Sequence, residues 1–468
     1  MFKLFFLIII PFLATDCKKE SDSAPNTANS VVHSWMTTPD KSKLLEEQPV
    51  VNFMNGSTSG SNTITVDDSK SFQGIDGFGF CLTDGSAIMI NSLDAASQDA
   101  LLKELFSTSG NGIGISYLRI GIGSTTLSTH DYTFDDLASG TDENLTQFSL
   151  NPAMKDLIPV LKKIIAIDPA ISIVAAPWSP PIWMKNNRSF TGGTLNTSAY
   201  QALANYFVKY IQAMKAQGIN ITAITPQNEP TNDRADPSMA FAPENEATFI
   251  ANNLGPAFKS AGLTTKIICF DHNASTPDYP ETVLGNRTAY PYIDGSAFHF
   301  YSGEITALSE VHDAFPEKNI YFTEQYTSSN GTFGGYLQSA TKNLIIGATR
   351  NWSRNVIEWN LAADVNNGPH TANGCPDCLP AITISPAITR NISYYLIAHA
   401  SKFVRPGATR ISSNITGNIQ NVAFKNSDGS KVLIVLNTDT VSQPFNVAWQ
   451  SKFFTYSLPK GSVATLKW

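Results

Sequence analysis

The chain is 468 residues long, with 42% hydrophobic and 10% aromatic residues, enough to bury a sizeable core and to build one large domain beside a smaller one. That composition excludes a disordered or fibrous protein. A formal charge of -7, with 15% charged residues and no long run of Lys or Arg, gives no electrostatic footprint for nucleic acid, so a neutral partner suits the surface better.

Residues 1–17 read as a signal segment. Lys3 precedes the apolar run Leu4 to Phe12, the length of a signal-peptide core and too short to span a bilayer as a mature helix. Leu13-Ala14-Thr15-Asp16-Cys17-Lys18-Lys19 resembles a bacterial lipoprotein signal, in which the Cys becomes the lipidated first residue of the mature chain. Asp16 departs from that pattern, because a small residue usually precedes the Cys. The chain is therefore expected to be exported, with a lipid anchor at Cys17 as its one membrane attachment, and otherwise secreted or periplasmic. Residues 18–49 follow as a flexible tether, polar at the start and rich in Ser and Asn.

Residues 50–72 are strand-like and are expected to pair with the C-terminal end of the chain. From residue 73 short apolar runs alternate with amphipathic stretches over a predicted domain of residues 73–405. The runs are Ile75–Phe80, Ile115–Gly123, Ile171–Ser179, Ile221–Glu229, Lys266–His272, Gly295–Tyr301, Asn319–Tyr326 and Asn355–Leu361. Segments between them carry helical spacing, as in Tyr206-Phe207-Tyr210-Ile211-Met214. Continuous apolar strands alternating with helices predict parallel strands covered by helices, and eight such units fit a (β/α)8 TIM barrel of the α/β class. Residues 406–468 change character to short strands split by turns such as Asn426-Ser427-Asp428-Gly429, predicting a small antiparallel β-sandwich.

Of five cysteines, Cys81 and Cys269 sit inside apolar runs and read as buried, inert thiols. Cys375 and Cys378 have no second pair or nearby His pair to complete a tetrahedral metal set, and in an exported chain they read as a local disulfide.

Catalytic residues of such a barrel lie at the C-terminal ends of its strands. The fourth run ends on Asn228-Glu229-Pro230 and the seventh on Glu324, strand ends that face each other across the mouth. Two carboxylates across a cleft are what glycosidic cleavage needs, one to protonate the leaving oxygen and one to attack; a pair about 5 Å apart gives retention.

Further motifs join these in order: Gly77-Phe78-Gly79-Phe80-Cys81-Leu82-Thr83-Asp84, Tyr117-Leu118-Arg119, Ala176-Pro177-Trp178-Ser179-Pro180-Pro181, Phe298-His299-Phe300-Tyr301 and Trp359-Asn360-Leu361. Over residues 72–468 the chain thereby resembles glycoside hydrolase family 30, which includes glucosylceramidases, β-glucosidases, β-xylosidases, endo-β-1,6-glucanases and xylanases. The resemblance implies that Glu229 is the acid/base, kept partly protonated beside the charged nucleophile Glu324, and that Asn228 binds the sugar 2-hydroxyl. It implies that Asp84 and Trp178 bind hydroxyls of the sugar and that Trp359 forms an aromatic wall. Asp84 has a second reading, as the cap of the helix that follows. Arg119 is expected beside Glu324 or Asp84 as a support. Tyr301 is expected to hydrogen-bond the nucleophile and His299 to border the site. The loop Asp364–Cys375 departs from animal glucosylceramidases and resembles bacterial and fungal members that act on polymers.

The expected function is retaining hydrolysis of β-glucosidic bonds by a monomer without cofactor or metal, in β-1,6-glucan or a glucosylceramide-like glucoside. The same scaffold also serves β-xylosidases, xylanases and β-fucosidases. A non-catalytic glycan-binding protein would have lost one of the two carboxylates.

Overall fold

In this computed structural model the described residues are 1, 2, 4, 31–58, 60 and 62–468. Cys17, with its expected lipid anchor, and residues 18–30 lie outside them. Among the described residues no helix is long and apolar enough to cross a membrane.

Eight parallel strands form the barrel: Gly77–Cys81, Tyr117–Gly121, Ser172–Ala176, Ala223–Ile224, Lys266–Asn273, Ile293–His299, Asn319–Glu324 and Asn355–Asn360. They pair in chain order, and the eighth returns to the first. The seventh and eighth meet at the bridge Ile320–Ser353 and where the Phe322 N–H donates to Asn355 Oδ1 at 2.9 Å, so the ring is nearly closed. Helices such as Tyr200–Ala216 bury their apolar faces on the outside, which is why the strands are apolar on both sides. The lumen is filled by a layer of Tyr117, Val174, Ala223, Ile268, Ala297, Tyr321 and Ile357. At the same level a Cβ on Gly79 would sit 1.8 Å from the Tyr117 carbonyl oxygen, so only glycine admits the first strand this close to the second.

The fifth strand breaks the alternation. Phe270 and Asp271 both take left-handed backbone angles, φ 76° and 75°. Against the sixth strand Phe270 pairs with Ala297 and His272 with Phe298, which leaves Asp271 as an extra residue. This β-bulge turns Phe270 outward onto Tyr279 and Phe298 and swings Asp271 into the lumen. Buried Glu246 braces it, accepting from the Phe270 N–H at 3.1 Å and the Tyr279 hydroxyl at 2.8 Å.

The second domain is one ten-stranded sheet folded over on itself. Strand Thr63–Gly74 sits at its centre, pairing with Thr409–Ser413 on one side and Gln443–Trp449 on the other. The sheet is therefore built from both ends of the chain, as the strand-like character of residues 50–66 suggested. The expected tether needs correction within the described residues: Val31–Thr37 and Glu46–Asn52 are strands, the first paired with Val463–Lys467. Glu46–Asn52 lies at the sheet edge, where polar side chains meet solvent, so its composition imitates a tether. Strand Lys431–Asn437 is buried throughout, with Leu433 and Val435 facing the sandwich core and Val432, Ile434 and Leu436 facing the barrel.

Candidate active site

Period-two alternation decides what the lumen holds above its apolar layer. Tyr117 points inward, so Arg119 does too. A fully buried guanidinium must be paired. Arg119 Nη1 donates to Glu324 Oε2 at 2.5 Å, and Nη2 donates to Asp271 Oδ2 at 2.8 Å and Asn228 Oδ1 at 2.5 Å. Its plane lies over Trp178, 4.6 Å from the ring centroid. Of the two carboxylates expected beside Arg119, Glu324 is the one present, joined by Asp271.

Asp271 ties the floor together. Its Oδ2 also accepts from Thr225 Oγ1 at 2.6 Å; its Oδ1 accepts from Thr323 Oγ1 at 2.6 Å and lies 3.1 Å from His299 Nε2. Burial works to raise this carboxyl, but Arg119 and His299 outweigh it and hold it well below the usual range. The Asp271 carbonyl accepts from the Glu229 N–H at 3.0 Å, where Glu229 itself adopts φ 46°. For a residue other than glycine that conformation costs on the order of 1–3 kcal/mol and persists where surrounding contacts impose it.

One oxygen of Glu229, one of Glu324 and a ring nitrogen of His299 lie within 4.8 Å of one another. His299 Nδ1 is 3.1 Å from Glu229 Oε1 and 3.7 Å from Glu324 Oε1, and Tyr301 donates its hydroxyl to Glu324 Oε1 at 2.8 Å. Burial favours neutral His299, but Glu324, Asp271 and Glu229 together push the imidazole up to about 9. The consequence for Glu229 differs from expectation. Burial raises it, yet the hydrogen bond and charge of His299, helped by His272 and Asn232, bring it down to about 2. Burial pushes the Glu324 carboxyl up against the opposing pull of His299 and Arg119. The resting site thus carries its proton on His299, between the carboxylates. These three residues are the group among the described residues whose geometry would suit a metal ion. With both ring nitrogens facing carboxylates as donors, His299 has no lone pair to offer one.

A cavity of about 550 Å³ opens above this floor, with Trp178, Asn228, Glu229, Tyr301, Glu324 and Trp359 in its wall. Asn228 spends its amide oxygen on Arg119, and its amide nitrogen has no partner among the described residues, leaving a donor free toward the cavity. Trp178 and Trp359 pack at 5.3 Å between centroids. Sequence reasoning missed His272, whose Nδ1 is 2.6 Å from Thr231 Oγ1, and Tyr326, 5.5 Å from Tyr301 between ring centroids. The rim is the loop after the eighth strand, Asn373 to Cys378, where Cys375 and Cys378 form a disulfide. Cys81 and Cys269 are buried free thiols.

Asp84 is not brought to this cavity. Its carboxylate accepts from Ser128 and faces a second cavity lined by His130 and Lys155, where burial raises it to about 7. Nor does it cap the helix Asp84–Asn91: Thr83 does, accepting from the Ser86 N–H at 2.9 Å.

Residues 75–404 match the description of a glycosyl hydrolase family 30 TIM-barrel domain, and residues 407–466 that of a family 30 β-sandwich domain. An endo-1,6-β-D-glucanase of Neurospora crassa is 37% identical over 408 residues, 81% of this chain and 83% of that protein. The lysosomal acid glucosylceramidase of Mus musculus is 30% identical over 437 residues, 86% and 83% of the respective chains. Among solved structures, an endo-β1,6-glucanase superposes with a TM-score of 0.87 at 35% identity, covering 93% of this chain and 99% of its own.

Proposed function

Because the chain belongs to glycosyl hydrolase family 30, we propose that it is an exported, endo-acting hydrolase of β-1,6-linked glucan, with Glu324 as nucleophile and Glu229 as acid/base. One observation carries the retaining reading: an oxygen of Glu229 and one of Glu324 lie within 4.8 Å of each other across the cavity, Glu324 held by Arg119 and Tyr301 and Glu229 by His299 and Asn232. So close an approach of the two oxygens suits direct attack by one carboxylate better than the wider gap of an inverting enzyme.

In the first step a Glu324 oxygen forms a bond to the anomeric carbon, the glycosidic bond breaks, and Glu229 gives its proton to the departing oxygen. In the second step Glu229 takes a proton from water, the water oxygen bonds to the anomeric carbon, and the ester to Glu324 breaks, so configuration is retained. Arg119 and Tyr301 hold the two Glu324 oxygens and so fix the angle of attack. The free Asn228 amide donor is placed to meet a sugar hydroxyl, and Trp359 offers an aromatic wall.

For the substrate, the glucanase relatives at 35–37% identity stand ahead of the glucosylceramidases at 30–33%. A second hollow of about 630 Å³, lined by Phe300, Gln325 and Tyr336, shares Tyr301 and Tyr326 with the wall of this cavity, which favours a chain longer than one sugar. The signal-like residues 1–17 support export, with Cys17 as lipid anchor.

The test is chromatography of products released over time from β-1,6-glucan, xylan and glucosylceramide by wild type and Glu324→Gln. Short gluco-oligosaccharides from β-1,6-glucan are expected, with a loss on the order of 10⁴-fold or more in the variant. Glucose from glucosylceramide alone would replace the substrate assignment, and full activity of the variant would overturn the roles.

A further inference from the structure

We propose that Asp271, which projects into the lumen from the bulge of the fifth strand, is a positioning residue for the acid half of the reaction: it fixes His299 so that His299 stores the proton Glu229 delivers. The inference rests on the roles given above to Glu229 and Glu324.

The geometry carries it. His299 is fully buried, and both ring nitrogens face carboxylates at 3.1 Å, Nδ1 toward Glu229 and Nε2 toward Asp271. Asp271 has no choice of orientation. Arg119 and Thr225 hold one oxygen, Thr323 holds the other, and the bulge that places it is braced by Glu246. It reaches Glu229 twice, through His299 and through its own carbonyl on the Glu229 N–H.

The other groups facing His299 are Glu324 at 3.7 Å, His272 with ring centroids 6.2 Å away and Tyr301 at 6.1 Å, with Arg119 reached across Asp271. His272 is pressed by burial toward the neutral form, to about 4, so it adds no cation at neutral pH. With Arg119 and His299 positive and Asp271, Glu229 and Glu324 negative, one proton shared by Glu229 and His299 separates the working site from a dead one.

The proton accounting is simple. At rest Nδ1 of His299 carries the proton and Glu229 is a carboxylate. Moving that proton along the Nδ1–Oε1 line makes neutral Glu229 and neutral imidazole, whose Nε2–H stays on Asp271. Glu229 then gives the proton to the departing oxygen, and the proton taken from water in the second step returns along the same line. Asp271 also fixes the tautomer, since without an acceptor at Nε2 the remaining proton could move to Nδ1 and block the return.

The experiment compares wild type, Asp271→Asn and Thr323→Val on two aryl β-glucosides that extend the sugar to a β-1,6-linked glucose disaccharide, as the endo reading requires: dinitrophenyl, whose leaving group needs no protonation, and methoxyphenyl, whose leaving group does. For Asp271→Asn the expected loss in kcat/KM is about 10²-fold or more on the methoxyphenyl glucoside and only a few-fold on the dinitrophenyl one. The alkaline limb of its pH profile moves to lower pH, because a negative neighbour that held the proton is gone. Thr323→Val keeps the charge but removes a competing donor from the oxygen that faces His299, so its alkaline limb moves to higher pH. This variant carries the test if Asp271→Asn does not fold. Equal losses on both glucosides, or a limb that does not move, would overturn the inference while leaving Glu229 and Glu324 in their roles. Wild type inactive on both glucosides would overturn those roles and the inference with them.

Discussion

Two histidines of this chain are almost fully buried and have opposite electrical fates. His299, at the barrel mouth, is flanked by Glu229, Asp271 and Glu324 and is raised to about 9. His399, on the helix Ile392–Ser401 between barrel and sandwich, is lowered by burial to about 3. Its Nδ1 and Nε2 each lie 2.9 Å from a hydroxyl, of Thr465 and Thr37 respectively. Thr465 donates onward to the His399 carbonyl, and Thr37 accepts from the Leu45 N–H, so the ring donates from Nδ1 and accepts at Nε2 as a neutral imidazole. The same side chain at the same depth is an ion where carboxylates surround it and a neutral pin where hydroxyls do. Burial alone therefore does not distinguish a working histidine from a structural one; the charge of its partners does.

The largest break in this contrast comes from removing the cation under the mouth. Arg119→Met strands Asp271 and Glu324 as buried anions, which is expected to cost about 3–5 kcal/mol of stability, to be read in a urea titration, and to abolish glucoside hydrolysis. A well-folded, active variant would mean that the floor is not organised by charge.

The two histidines then separate by pH. His399 binds its proton more weakly folded than unfolded, so its contribution is complete above about 6.5 and is lost as pH falls from there toward 3. His299 binds its proton more tightly folded, so its contribution is complete below about 6.5 and is lost as pH rises through 9. Each slope is at most about 1.4 kcal/mol per pH unit. His399→Gln should flatten the acid side of a stability curve and leave kcat unchanged. His299→Gln should flatten the alkaline side and lower kcat by about 10²-fold or more on a poor leaving group. Thermal unfolding from pH 4 to 9 checks both, and identical curves for the two variants would erase the distinction.

Much of the barrel and its mouth could be read from sequence, and the rest was hidden for definite reasons. The eight apolar runs locate the barrel strands, and polar residues closing the fourth and seventh runs locate Glu229 and Glu324. Arg119, Tyr301 and His299 follow from alternation counted outward from lumen residues. Asp271 could not be found that way. Counting by twos from Ile268 sends Phe270 inward and Asp271 outward, and the bulge that reverses them leaves no mark in composition. Strand Lys452–Leu458 is hard to mark off in the sequence for a similar reason: its hairpin turns at Gln450, which takes φ 55° without the glycine or asparagine that usually announces such a turn. Asp84 stands in a motif that resembles a sugar-binding one, yet its side chain is taken by Ser128, a partner 44 residues away that no local pattern predicts.

The finest form of the contrast exchanges one hydroxyl at each place. Thr37→Val removes two neutral hydrogen bonds, one to His399 and one from the Leu45 N–H, and should cost about 1 kcal/mol for each, whereas Thr225→Val removes a single hydrogen bond to ionised Asp271 and should cost about 1.5–3 kcal/mol for that one. The two changes are chemically identical and both sites are buried, so area and cavity terms largely cancel in the difference. What remains, per hydrogen bond lost, is the charge on the acceptor, two neutral bonds at Thr37 against one charged bond at Thr225. Thr225→Val should also lower kcat, because it frees one oxygen of the carboxylate that aims Arg119, while Thr37→Val should leave kcat alone. Equal stability losses per hydrogen bond and equal kcat values for the two would mean that the hydroxyl contacts at the mouth are as ordinary as those at the domain seam, and that the selectivity of the floor lies in Arg119 and His299 alone.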